Sequence, residues 1–277
     1  MPPKRAKEEV EQWPTLERLG FTVESPFLET EIPQDKQKDG SGSCFILAPI
    51  ILRHLLQKKY PSVFAQGMLD EKTIEQLLKA HGNWDATKGL MEGGDPIAAM
   101  RDLVGNEHDV PIKHSAMSFI TTEVETSVPV ILPFLAPRHH RKPQTVDVIP
   151  AEEYFSLAVD IVKKTTKKQD WHSQVVVGTA TKDGKKYWIA IQSWKEHHLT
   201  LYPMMTGEDF ETLNKTTKAL TSEKLVELQE YHRVLIPSLK VKPMEGIVDR
   251  ALTLSAGPAR YSSTAMVLPL KDFPHTK

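Results

Sequence analysis

The segment His172–Trp194, HSQVVVGTATKDGKKYWIAIQSW, decides how this chain is read. It contains two β-branched and aromatic runs. Ser173 to Thr181 carries Val175, Val176 and Val177, and Lys186 to Ser193 carries Tyr187, Trp188, Ile189 and Ile191. Such runs fit a pleated, buried surface and are expected to be strands. Thr181-Lys182-Asp183-Gly184 between them ends in the Asp-Gly pair that favours a tight hairpin turn.

The chain before this hairpin is patterned differently. Phe45 to Tyr60 is strongly apolar, with Leu47, Leu52, Leu55 and Leu56 at helical spacing, and stops at Pro61. Pro49 falls early in that run, where a proline in the first turn is tolerated. Asp70 to Lys79 is expected to be a second helix, capped by Asp70 with Ile74, Leu77 and Leu78 on one face. Asp95 to Val104, after Gly93-Gly94, is a third. Thr126 to Ala136 is β-prone but broken by proline, Pro137 to Pro143 reads as a basic surface loop, and Ala151 to Lys164 as an amphipathic helix. Residues 1–12 read as a charged tail and 13–43 as a loop-rich approach with Pro14, Pro26, Pro33, Gly40 and Gly42. Beyond Pro203 the expectation is a helix around Glu223 to Tyr231 and a tail with β-prone patches. Helices first and antiparallel strands later make an α+β layout.

Composition removes several function classes. Lys and Arg number 35 against 36 Asp and Glu, for a net charge of -1, so bulk attraction to nucleic acid or an anionic membrane is not expected. No run is long and apolar enough to span a bilayer, and Met1 to Glu9 lacks the apolar core of a signal peptide. The single cysteine cannot form an internal disulfide, which suits a reducing compartment. The expected location is the cytoplasm, with Lys4-Arg5-Ala6-Lys7 as a candidate nuclear address.

That cysteine, Cys44, sits where Gly40-Ser41-Gly42-Ser43 runs into the first helical pattern. Unpaired N–H groups and the positive end of a helix dipole favour a thiolate there, and the thiolate is the nucleophile. His172 stands immediately before the first strong strand and could hold a thiolate–imidazolium pair with it. Gln192 ends the second strand, so it returns close to His172, and its carboxamide oxygen could accept the ring N–H. Trp194 could shield that bond from water. Each residue also has a plainer reading: a small buried cysteine, a structural histidine, a strand-end amide and a core aromatic. Together those readings describe an interaction protein without catalysis.

In order along the chain, five segments resemble the papain-like cysteine peptidases. Gly42-Ser43-Cys44-Phe45 is similar to that family's nucleophile motif. Leu69-Asp70-Glu71-Lys72-Thr73-Ile74 resembles a helix start of the family, and Gly93-Gly94-Asp95-Pro96 the stretch bordering its substrate cleft. His172 to Gly178 and Tyr187 to Trp194 resemble its His and Asn segments. The resemblance spans about residues 32–201, as a peptidase domain between a 1–31 tail and a 202–277 extension. It implies a helical subdomain over roughly 44–125, an antiparallel barrel-like subdomain over roughly 126–201, and a cleft between them.

The roles implied are Cys44 as nucleophile, His172 as general base and acid, and Gln192 as the residue orienting His172. Gln37 or Lys38 would join the Cys44 N–H at the oxyanion. Gly93 and Gly94 would pair with substrate backbone, and Asp95, Trp171 and Trp194 would border the substrate pockets. The resemblance further implies a peptide or protein substrate and neither a cofactor nor a metal. The chain departs from the family where Gln192 replaces Asn, Lys38 replaces the oxyanion Gln, Phe45 replaces Trp and Lys195 replaces Gly. The family's disulfide cysteines are missing: Ser41 and Glu92 stand in two of their places. No inhibitory pro-segment is recognisable in the 43 residues before Cys44. These departures keep a second expectation open, a papain-fold binding module with impaired catalysis.

Overall fold

The computed structural model describes residues 12–25, 44–59, 61, 69–85, 90–92, 94, 98–99, 102–103, 113–116, 130–136, 146–163, 170–193, 198–226, 228 and 264–267. Helices are α1 (Gln12–Arg18), α2 (Cys44–Lys59), α3 (Glu71–His81), α4 (Ala151–Lys163) and α5 (Gly207–Thr217). Strands are β1 (Thr22–Glu24), β2 (Asn83–Asp85), β3 (Leu90–Glu92), β4 (Lys113–Ala116) and β5 (Val130–Ala136). They continue as β6 (Val146–Val148), β7 (Asp170–Lys182), β8 (Lys185–Gln192), β9 (His198–Pro203) and β10 (Thr264–Val267).

The expected hairpin is β7–β8, and it is the middle of the main sheet. Asp183 (φ +50°) and Gly184 (φ +75°) form its loop between the paired Lys182 and Lys185. Two consecutive left-handed residues are what a two-residue type I′ turn requires, which is why Asp-Gly serves. The sheet runs β4-β10-β5-β7-β8-β9-β6, with β1 also on β7. Every pairing is antiparallel except β6 with β9. A mostly antiparallel sheet with helices packed on it is a mixed, α+β architecture.

β7 shares one of its edges between two strands. β5 pairs with Asp170 to Val176, and β1 pairs with Thr179 to Thr181. At the changeover the β7–β8 register shifts between Val176 and Gly178, a bulge. The Ser25 hydroxyl donates to the Val177 carbonyl at 2.6 Å and ties the N-terminal segment to it. A Cβ on Gly178 would lie 2.3 Å from the Glu24 carbonyl oxygen, so only glycine admits this backbone crossing.

The main core lies around β7, β8 and β9, which are buried on both sides of the pleat. Val175, Ile189, Ile191, Leu199 and Leu201 alternate with Val176, Trp188, Ala190, Thr200 and Tyr202, all at 1% exposure or less. α2 packs across β7 and contributes Ala48, Ile51, Leu52, Leu55 and Leu56 to this core. α4 contributes Tyr154, Phe155, Ala158, Val159 and Val162 at helical spacing. Tyr154 meets the Tyr202 ring and Phe155 meets Phe210 of α5, each pair with centroids 5.8 Å apart. A second, smaller cluster joins Leu78, Ala99 and Leu103 to Ile46, Leu69, Ile74, Leu77 and Trp84.

Several elements differ from the sequence expectation. α1 forms in a stretch read as loop-rich, because Trp13 and Leu16 enter the core and Gly20 closes the helix. The Phe21 N–H donates to the Leu16 carbonyl and the Gly20 N–H to the Glu17 carbonyl, with Gly20 at φ +85°. This is a Schellman ending, and its apolar contact partners Leu16 and Phe21 both belong to the main core. Phe21 then meets Tyr187 edge-on at 5.4 Å. α5 was unforeseen, yet Thr206-Gly207-Glu208-Asp209 is a capping box. Asp209 N–H donates to the Thr206 hydroxyl at 3.2 Å, and Thr206 N–H to the Asp209 carboxylate at 2.7 Å. α3 matches its expected cap. The Asp70 carboxylate accepts the Thr73 N–H at 2.6 Å, and that bond holds its carboxyl below the usual range.

Gly178→Ala should lower stability by about 1–3 kcal/mol, since the clash is with backbone that cannot rotate away. Gly207 has nothing within 4 Å of an added Cβ. Gly207→Ala should therefore be neutral or stabilising by up to about 1 kcal/mol. Denaturant unfolding of both variants checks the contrast, and equal effects would refute the crossing argument.

Candidate functional site

The candidate nucleophile Cys44 is the first residue of α2. Two residues on, Ile46 packs with the smaller cluster, whereas Ala48, Ile51, Leu52, Leu55 and Leu56 belong to the main core. The helix therefore begins where the two clusters meet. Pro49 lies inside α2, beyond the first turn in which the sequence put it. Having no N–H, it leaves the carbonyl of Phe45 without its helical donor. This loosens the hydrogen bonding of the turn that carries Cys44.

His172 is the third residue of β7 and has Phe134 of β5 as its Cα partner. Gln192 is the last residue of β8 and has His198 of β9 as its partner. β7 begins and β8 ends at the same end of the sheet. Extending the Val175–Ile191 pairing by one step puts Gln174 beside Gln192, with His172 two residues further out. Trp171 pairs with Leu135. For Cys44, Trp171, His172 and Gln192 the backbone alone is described. Gln37, Lys38, Gly93, Asp95 and Trp194 lie outside the described residues.

Gly94 is described, and its glycine requirement has a local cause. It has φ +84°, and an added Cβ would lie 2.0 Å from the His81 carbonyl oxygen at the end of α3. The same helix end is tied by His81 Nε2 and the Asp102 carboxylate, 2.6 Å apart. Both groups are part-exposed, so the pair is a modest clamp on the small cluster.

Sequence reasoning missed the polar groups further along the same strands. Gln174, 1% exposed, donates from Nε2 to the Tyr202 hydroxyl at 2.7 Å across the small Ala190. Its Oε1 has no hydrogen-bond partner, and neither do Trp188 Nε1 and Thr200 Oγ1, also buried. The signal available in the sequence was alternation: Gln174 is two residues after His172, so both take the same side of the pleat. Gln192 and His198 share the row of Gln174.

Among the described residues no group of three or more His, Cys, Asp or Glu is arranged to hold a metal ion. No described helix is long and apolar enough to cross a membrane. Compared with protein-family models, with curated proteins and with solved structures, the chain matches none.

If Gly94 serves the backbone crossing at α3, Gly94→Ala should lower stability by roughly 1–3 kcal/mol through the positive φ and the clash. Thermal unfolding reads this. A variant of unchanged stability would return Gly94 to a substrate-facing role.

Proposed function

We propose that this chain is a papain-like cysteine peptidase in which Cys44 is the nucleophile, His172 the general base and acid, and Gln192 the orienting amide. The observation that carries the reading is topological. A helix opening at the lone cysteine packs across the strand that bears His172, and Gln192 ends the neighbouring strand at the same sheet end. The opening of α2 where two apolar clusters meet also agrees with a cleft between a helical and a β-rich subdomain.

In this mechanism the Cys44 thiolate attacks the carbonyl carbon of a peptide bond. The oxyanion gathers hydrogen bonds from the Cys44 N–H and from Gln37 or Lys38. The imidazolium of His172 then protonates the leaving amine, and His172 next draws a proton from water to hydrolyse the thioester. Gln192 holds the ring by accepting its N–H. Asp95, Trp171 and Trp194 border the substrate.

A papain-fold binding module is the second reading, and Gly94 favours it. The strain and close approach at that residue are explained by α3 without a substrate. Gln192 in place of Asn points the same way.

The rate of Cys44 alkylation by iodoacetamide against pH tests the pair. An ordinary thiol titrates near 8.5. An ion-paired Cys44 should react well below that pH, and His172→Ala should abolish the low-pH reactivity. A profile centred near the ordinary value and indifferent to His172→Ala would sink the dyad. Under the enzymatic reading, Gln192→Asn should keep or raise hydrolysis of a fluorogenic peptide, whereas Gln192→Ala should lower it by up to roughly 100-fold.

A further inference from the structure

One side of the main sheet carries a polar block inside the apolar core. Ala190 of β8 has Val176 of β7 and Thr200 of β9 as its Cα partners, and Trp188, two residues back, has Tyr202. Opposed residues, and residues two apart on one strand, take the same side of the pleat. Gln174, Val176, Trp188, Thr200 and Tyr202 therefore share a side with Ala190, whose methyl is at their centre. Tyr154 of α4 lies against the Tyr202 ring and covers this side. All of these residues are exposed by 1% or less.

Three of the side chains end in buried polar atoms that no group among the described residues satisfies: Gln174 Oε1, Trp188 Nε1 and Thr200 Oγ1. A buried polar atom without a partner is costly, and here three stand around one small residue. Thr200 is directly opposite Ala190, a pairing that holds Cβ atoms about 4.5–5.5 Å apart. Gln174 and Tyr202 occupy opposite corners of the block, so the 2.7 Å bond between them holds the Gln174 amide over Ala190. Trp188 is the next residue of β8 on the same side.

The chemistry of the three atoms selects their ligand. An indole N–H only donates, an amide oxygen only accepts, and a hydroxyl does either. A cation is repelled by the first and an anion by the second. The ligand is therefore neutral and both donor and acceptor. Water is the smallest such molecule, and buried waters make about three hydrogen bonds. Ala190, the smallest side chain of the block, leaves room for it.

We propose that the block around Ala190 is a binding site for one internal water molecule. The water accepts the Trp188 indole N–H, donates to Gln174 Oε1 and shares its third bond with the Thr200 hydroxyl. It ties β7, β8 and β9 together through their side chains, whether or not the chain is a peptidase.

Water-selective rotating-frame Overhauser spectra of the ¹⁵N-labelled full chain read this site at the Trp188 indole N–H. The chain has five tryptophans, and Trp188→Phe assigns the signal. A dipolar cross-peak to water is expected in the wild type, and its absence would overturn the proposal. Thr200→Val and Gln174→Met each take away one of three bonds. Each should lower the binding constant of the water by about tenfold, the factor one net hydrogen bond represents, and weaken the cross-peak. A cross-peak abolished by Thr200→Val, or untouched by Gln174→Met, would come from the Thr200 hydroxyl proton exchanging with solvent and would refute the site. Either variant suffices should the other fail to fold. Stability supplies a sign as well. Losing a hydroxyl that is bonded to water is costly, so Thr200→Val should raise the unfolding equilibrium constant by about tenfold. An orphaned hydroxyl is better replaced by a methyl, so a lowered constant in denaturant unfolding would also overturn the site.

Discussion

The crossing at Val177–Gly178 is the constraint on which the rest of this structure depends. β7 is thirteen residues long, too long for one partner on its outer edge, and changes from β5 to β1 partway along. The changeover needs a local break in the ladder, a backbone without a side chain and a hydrogen bond for the carbonyl displaced from pairing. The bulge, Gly178 and the Ser25 hydroxyl supply these in turn. Through it the segment from α1 to β1 is drawn into the same core as the sheet, with Trp13, Leu16 and Phe21 buried beside β7 and β8. Lys182 reinforces the arrangement by donating to the Leu19 carbonyl at 2.7 Å.

How much of this was legible depended on whether the signal was local. The Asp183-Gly184 turn, the valine and aromatic strands around it, and the Asp70 cap are each specified within a few residues, and the structure has them. Fold class followed from the order of such segments. α1 was missed because seven residues give too little periodicity, and its stability comes from burial of Trp13 and Leu16 against distant strands. The parallel pairing of β6 with β9 was illegible for the same reason: three residues, Val146 to Val148, are placed by a partner some fifty positions away. α5 is a different case. Its capping box is a local signal, carried by Thr206 and Asp209 within four residues.

At the candidate site, the residue types were legible and their rows were not. Sequence put His172 just before a strand, which in the structure begins two residues earlier at Asp170, and Gln192 at a strand end, where the structure has it. It gave no hint that His198 stands opposite Gln192 or that Gln174 reaches Tyr202, since both facts depend on register across strands. Pro49 shows the limit from the other side. The run of apolar residues places it early in a helix, and in the helix that forms it is the sixth residue, inside the hydrogen-bond ladder.

Register also explains why a bulge far from the candidate site matters to it. The turn fixes Lys182 opposite Lys185, and counting outward without interruption would bring Val175 opposite Gln192. The extra residue at Val177 shifts the count by one, so that Val175 meets Ile191 and Gln174 falls beside Gln192. Because the side-chain period of a strand is two, that single step exchanges the sides of the pleat. With the bulge, His172, Gln174 and Gln192 take positions on one side; without it, Gln192 would be on the side opposite His172. His172 and Gln192 then stand as diagonal neighbours, a longer separation than a direct pair. The bulge that admits β1 at one end of β7 thus sets the backbone positions of His172 and Gln192 on one side of the sheet at the other.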